Sequence, residues 1–364
     1  MFRTLLIEEG ERLSVAHQVL QIEKQGRRIP VPIDDIYCVV LDNLKAVVTT
    51  AAINALCMAG AHIVICNEKH LPSAVIYPEL IHYAPYRVVT KQMGMTQGWK
   101  DALWDTIVKG KLINQAEALR LCTGDMDAYH RLLELADEVE EGDAGNREGI
   151  GAKLYFRHFF GDGFVRMEDD GINHAMNYGY TILRTAMIKT LYTFGYYPLI
   201  GIHHIGYGNA FNLGDDLMEP FRPVVDMWVD LHHEELLDDL TSQQRRSLVN
   251  LLNQEMVYDG CRMKIRNVMA RYVKQYTSAI EKESVELLRI PTITAILFEA
   301  MKAECHESWE SSSFLICLRA HLSNGRHICS FGNICSMPVM ICSSIPSMFV
   351  SPAVGTMPSI CWAS

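Results

Sequence analysis

No apolar run in the chain approaches the ~20 residues that a membrane-spanning helix needs. The N-terminus, MFRTLLIEEGER, lacks a long apolar stretch and a small-residue cleavage site, so no export signal is expected. Positive charge is scarce: 33 Lys and Arg stand against 43 Asp and Glu, a net charge of −10. That balance excludes a uniformly basic nucleic-acid coat but leaves room for a local basic patch. CxxC pairs are absent among Cys38, Cys57, Cys66, Cys122 and Cys261, which removes zinc ribbons and dithiol redox motifs. Most of these five read as small buried hydrophobes of a cytoplasmic protein in a reducing compartment. There is no internal repeat. What is present is an ordinary globular balance, 49% hydrophobic and 21% charged, in 364 residues, a length that favours two domains.

Residues 1–80 read as mostly strand. TLLIEE, LSVAHQVLQIEK, IPVPIDDI and YCVVLD are short, alternating or β-branched, and Gly, Pro or Asp separates them. TTAAINALCMAG interrupts them as one helix, capped at Thr49 or Thr50 and stopped by Gly60. After a proline-broken linker (69–86) the period becomes helical. Helices are expected across 88–121, 126–141, 146–161 (with Asn146 as cap) and 172–195, and at least two more follow between 215 and 283. The expected fold class is therefore α+β: a β-rich N-terminal domain over 1–80, then an all-α domain over 86–285. Residues 290–364 form an atypical tail. RIPTITAILFEAMKAE still reads as helix, but from His306 the chain is rich in Ser, Cys, Met and Pro without a period, and six of the eleven cysteines fall after residue 300.

The densest chemistry lies in GIHHIGYGNAFNLGDDLMEPFRPVVD, residues 201–226. It gathers His203, His204, Asp215, Asp216, Glu219 and Arg222. Carboxylates with an imidazole can hold a divalent metal, and a guanidinium can hold a phosphate or a carboxylate. Glu148, at the start of the helix after Asn146, is a further oxygen donor whose direction a rigid helix start would fix. Each residue also has a plainer use. A first-turn Glu answers the helix dipole, Asp215 and Asp216 suit capping, and Glu219 with Arg222 makes an i,i+3 ion pair. Lys264, Arg266, Arg271 and Lys274, on a basic helix over 261–274, are candidates for phosphate contacts or a solvated face.

Three separated motifs, NREG (146–149), DGINHAMNYGY (170–180) and FNLGDDLMEPFRPVVD (211–226), occur in order and at matching intervals. Over residues 1 to about 285 the chain resembles the CRISPR-associated integrase/endonuclease family, the larger core spacer-acquisition protein. It is most similar to the subfamily found beside single-protein RNA-guided effectors. The resemblance implies a β domain followed by a helical catalytic domain. It implies Glu148, His204 and Glu219 as ligands of Mg²⁺ or Mn²⁺, with Asp216 and Arg222 supporting them, and it favours His204 over His203. It implies joining of a fragment's 3′-hydroxyl to repeat DNA by transesterification, with nicking when water replaces the hydroxyl. The implied partners are double-stranded DNA, a second copy of the chain bound through the β domain, and a small ferredoxin-like adaptation protein.

The tail departs from the family pattern, which ends near Ile290. Two origins fit its composition: an out-of-frame reading of an adjacent partner gene, or a segment without fixed structure. Two other functions fit the central residues: a metal-dependent hydrolase of small phosphate esters, and a catalytically silent DNA-binding scaffold.

Overall fold

The computed structural model describes residues 3–303, apart from 10–11, 80–81, 167 and 237–238, together with the backbone of 360–363. The reading of 304–359 as atypical tail lies outside the described residues. Met1–Ala303 and Ser359–Ser364 group as one compact unit.

The β-rich part opens with β1 (Arg3–Ile7), β2 (Arg12–Ala16), β3 (Val19–Lys24), β4 (Arg27–Pro32), β5 (Ile36–Leu41) and β6 (Val47–Val48). Helix α1 (Thr50–Met58) follows, then β7 (His62–Cys66) and β8 (Pro72–Ile76). Thr49 caps α1 through its hydroxyl, which accepts the Ala52 N–H. Strands β1, β5 and β7 run parallel, β8 pairs antiparallel with β7 at one edge, and the backbone of β11 (Ile360–Ala363) pairs antiparallel with β1 at the other. A second sheet has the order β4-β3-β2-β6.

Strand parity divides the apolar residues between two faces. Leu5, Ile7, Val39 and Leu41 face the second sheet and α1, packing with Leu13, Leu20, Ile22 and Leu56. Leu6, Cys38 and Val40 pack on the opposite face with Val64 and Cys66. LSVAHQVLQIEK is two strands rather than one. Ala16 pairs with Val19, and the intervening His17 and Gln18 both take positive φ. Such a two-residue turn normally advertises itself through Asn-Gly or Asp-Gly, and neither is present.

The helical part comprises α2 (Pro85–Met93), α3 (Gln97–Cys122), α4 (Met126–Asp137), α5 (Arg147–Phe160), α6 (Gly171–Thr193), α7 (Asn212–Met218), α8 (Arg222–His232), α9 (Ser242–Asn250) and α10 (Ile265–Lys282). Side chains cap several of these starts: Thr96 for α3, Asp125 for α4, Asp170 for α6 and Thr241 for α9. The long helices α3 and α6 form the middle of one large core, contributing Leu103, Ile107, Leu119, Met176, Leu183 and Met187. No helix among the described residues is long and apolar enough to cross a membrane.

Two expectations are corrected. The helical part is not purely α, because β9 (Glu255–Tyr258) and β10 (Cys261–Lys264) form a hairpin. CRMK is therefore strand, and the basic helix starts at Ile265. The hairpin turns at Asp259 and Gly260, both at positive φ, a signal that a helical reading passes over. Residues 291–303 also remain in the core: Ile293, Leu297, Phe298 and Met301 are buried there.

Asn114, fully buried on α3, ties this end of the chain down. Its Nδ2 donates to the carbonyls of Pro220 (2.7 Å) and Pro291 (2.8 Å), and its Oδ1 accepts the Ile293 N–H (3.0 Å). Asn114→Ala strands two buried carbonyls and one N–H and should cost about 2 kcal/mol or more in urea unfolding. A loss below about 0.5 kcal/mol would show that these bonds do not anchor the segment.

Candidate active site

The start of α5 is fixed by side chains just before it. Asn146, in the left-handed region at φ 49°, accepts the Gly149 N–H. Asp143 accepts the N–H groups of Arg147 (2.7 Å) and Glu148 (3.0 Å). Three first-turn donors are thereby satisfied, and the turn that carries Glu148 has one orientation.

Glu219 sits where a helix is forced to bend. Pro220 has no N–H and Pro223 lies in the first turn of α8, so the run from α7 into α8 passes through a single 3₁₀ turn, Glu219–Phe221. The bend buries Glu219, which is 4% exposed. Arg222 Nε donates to its Oε1 at 2.8 Å.

Lys111, buried in the middle of α3, joins the two acids. Its Nζ donates to Glu148 Oε1 and lies 2.6 Å from Glu219 Oε2. Glu219 Oε2 is thus a buried carboxylate oxygen whose close partner is the Lys111 ammonium. Burial alone would push Glu219 up, but Arg222 and Lys111 hold its carboxyl at about 2. Burial would likewise lower Lys111, and Glu219 and Glu148 together raise it instead.

His204 is placed from the other side of the bend. Asp216, fully buried on α7, accepts the backbone N–H groups of Ile202 (2.6 Å), His203 (3.2 Å) and His204 (3.0 Å). It also meets His204 Nδ1 at 2.6 Å. The chain can wrap this carboxylate because residue 201 is glycine: a Cβ there would stand 2.3 Å from the His204 carbonyl oxygen and 2.9 Å from Asp216 Oδ2. The Asp216 hydrogen bond raises the His204 pKa and outweighs the opposing effect of burial. With Nδ1 engaged, Nε2 is the nitrogen left for chemistry. His203 instead stacks flat on Trp104, with ring centroids 4.2 Å apart.

The geometry thus brings Glu148 and Glu219 onto one cation and supplies Arg222 and Asp216 as supports. His204 influences Glu219 electrostatically. Among the described residues no three His, Cys, Asp or Glu side chains close into a metal cage. The donor set still suits a hard divalent ion: two carboxylates face a single positive centre, and the Lys111 ammonium is the stand-in cation. Asp215 does not cap α7 as expected; it accepts from Asn209 Nδ2 at 2.7 Å.

The four basic candidates differ. Lys274 is exposed and Lys264 half-buried. Arg271 pairs with Asp259 at 2.6 Å. Arg266 is a correction, because it is 6% exposed, donates to Asn253 and lies over the Tyr37 ring, out of reach of a phosphate.

Sequence reasoning missed Lys111. Its signal was a lone charge on the apolar stripe of α3, in step with Trp104 and Ile107. It also missed the backing of Arg222, whose guanidinium lies over the Tyr180 ring, 4.8 Å from its centroid, while the Tyr180 hydroxyl donates to buried Asp226.

A family model described as CRISPR associated protein Cas1 matches residues 4–255. The chain belongs to the Cas1 family. It is 32% identical over 294 residues to the CRISPR-associated endonuclease Cas1 of Neisseria meningitidis serogroup C (strain 8013), covering 80% of this chain and 96% of that relative. Among solved structures it is similar to a casposase bound to integration product, with TM-score 0.63 and 18% identity, covering 82% of this chain and 98% of the other. It is also similar to a chain of a Cas6-RT-Cas1–Cas2 complex, with TM-score 0.64 and 18% identity. There it covers 80% of this chain and 36% of the larger one. At these identities the structural likenesses establish the fold, and the α+β reading agrees with them.

Burial pushes Asp226 up to about 7 against the opposing pull of its hydrogen bonds and of Arg222. A folded pKa above the unfolded ~3.9 means that stability from this group is complete below about pH 4 and is lost as pH rises through about 7. Asp226→Asn removes the titration. Relative to the variant, wild type should lose at least about 1 kcal/mol between about pH 5 and pH 7.5 in chemical denaturation. Parallel pH profiles would contradict this assignment.

Proposed function

We propose that this Cas1-family chain is a metal-dependent DNA endonuclease and integrase of CRISPR adaptation, joining the 3′-hydroxyl ends of short DNA fragments to repeat DNA. The observation that carries the reading is the delivery of Glu148 and Glu219, 71 residues apart in sequence, to one buried cation. The endonuclease name of the meningococcal relative and the integration product in the casposase structure support phosphodiester chemistry.

In this reading Glu148 and Glu219 hold Mg²⁺ or Mn²⁺, with His204 as the neighbouring imidazole. When bound, the ion supplies Lewis-acid polarisation of the scissile phosphate and a lower pKa for the attacking hydroxyl. The chain's own groups do the rest. Arg222 fixes the Glu219 carboxylate and Asp216 fixes the His204 ring, so Nε2 can carry a proton to or from the reacting oxygens. The fragment's 3′-oxygen forms a new bond to phosphorus as the repeat strand's 3′-oxygen leaves with a proton. Water in place of the hydroxyl gives a nick.

The partners follow the same reading: double-stranded DNA, a second copy of the chain through the β-rich part, and a small ferredoxin-like adaptation protein. The Cas1–Cas2 complex among the structural neighbours supports the last. In this reading exposed Lys274 and half-buried Lys264 meet phosphates, which positions DNA without reading its sequence. The location proposed is cytoplasmic.

A strand-transfer assay with labelled fragment and repeat DNA tests the proposal. Glu148→Ala and Glu219→Gln should bind DNA as wild type does in the absence of divalent cation, and should lose joining on the order of 100-fold. Joining at the wild-type rate by both variants would remove this site from the chemistry. Hydrolysis of nucleotide monomers without strand transfer would replace the reading with a small phosphate-ester hydrolase.

A further inference from the structure

The cluster of Lys111, Arg222, Glu148 and Glu219 is balanced: two ammonium or guanidinium groups face two carboxylates. The Lys111 side chain is 7% exposed and that of Glu219 5%, so neither charge can turn out into water without unpacking α3. Lys111 also occupies the position between the oxygens that a divalent ion would use. An ion entering alone would leave the cluster with two uncompensated positive charges in a buried setting, and this is strongly opposed. DNA arriving with the ion restores the balance when two of its phosphates lie at the cluster, because each phosphate carries one negative charge. A lysine on an apolar stripe has no packing reason to be there, and Leu or Met would fill the space.

Resting on the reading of Glu148 and Glu219 as ion-binding groups, we infer that Lys111 is a positioning residue that makes divalent-cation loading conditional on bound DNA phosphate. The empty protein keeps its two acids paired and preorganised around the ammonium. Free cation competes poorly with that internal ion pair. DNA tips the competition by supplying the missing negative charge, so cation and nucleic acid load together. By reciprocity, the cation strengthens DNA binding by the same factor.

The test measures Mn²⁺ binding to the full chain, by loss of the free-ion paramagnetic resonance signal, with and without a DNA duplex that has free 3′ ends. Wild type, Lys111→Met, Lys111→Arg and Glu219→Gln are compared. Wild type should bind Mn²⁺ at least tenfold more tightly with DNA. Lys111→Met should bind Mn²⁺ at least tenfold more tightly than wild type in the absence of DNA, and DNA should add little. Lys111→Arg keeps the charge and should behave as wild type. Glu219→Gln should lose Mn²⁺ in both conditions.

Unchanged or weaker Mn²⁺ binding by folded Lys111→Met, with Glu219→Gln still deficient, would overturn the inference and leave the site reading standing. Full Mn²⁺ binding by Glu219→Gln would remove the site reading itself. Equal wild-type affinity with and without DNA would overturn the inference even if Lys111→Met does not fold.

Discussion

One ammonium group between two carboxylates organises the centre of this protein. Lys111 is delivered by α3, Glu148 by the first turn of α5 and Glu219 by the bend between α7 and α8. Each buried member has a second partner, Lys111 in both acids and Glu219 in Lys111 and Arg222. The three segments are therefore held to one another electrostatically as well as by packing. The same arrangement gathers oxygen donors that a local sequence motif would leave apart.

The surrounding structure reads as support for that arrangement. Asp143 and Asn146 fix the direction of Glu148, and Pro220 with Pro223 creates the bend that buries Glu219. Asp216 serves as a buried hub, taking three backbone N–H groups and the imidazole of His204. Tyr180, held by Asp226, backs the guanidinium that orients Glu219. Most of these supports act through hydrogen bonds in a partly or fully buried setting. All of these site groups come from the helical part.

The sequence carried the architecture better than the wiring. Short β-branched segments in the first 80 residues and helical spacing after Pro85 were legible because turn residues punctuate the one and periodic apolar positions mark the other. Caps at Thr49 and Asn146 were legible because their chemistry is local. The turn at His17 and Gln18 was not, because it lacks Asn-Gly or Asp-Gly, and the hairpin over 255–264 was passed over although Asp259-Gly260 marks its turn. Glu148, His204 and Glu219 were singled out through separated motifs, yet Lys111 passed as part of a helix. Its role exists only once three distant segments meet, and no spacing rule within α3 records that.

The most direct test is crystallographic. Crystals of the full chain with a DNA end bound at the site, soaked in Mn²⁺, should show an anomalous peak with a carboxylate oxygen of Glu148 and another of Glu219 each about 2.1 Å away. Lys111 Nζ should have moved off the shared position toward a DNA phosphate. An ion bound against the DNA end but away from both carboxylates, with Lys111 still seated between them, would contradict the account.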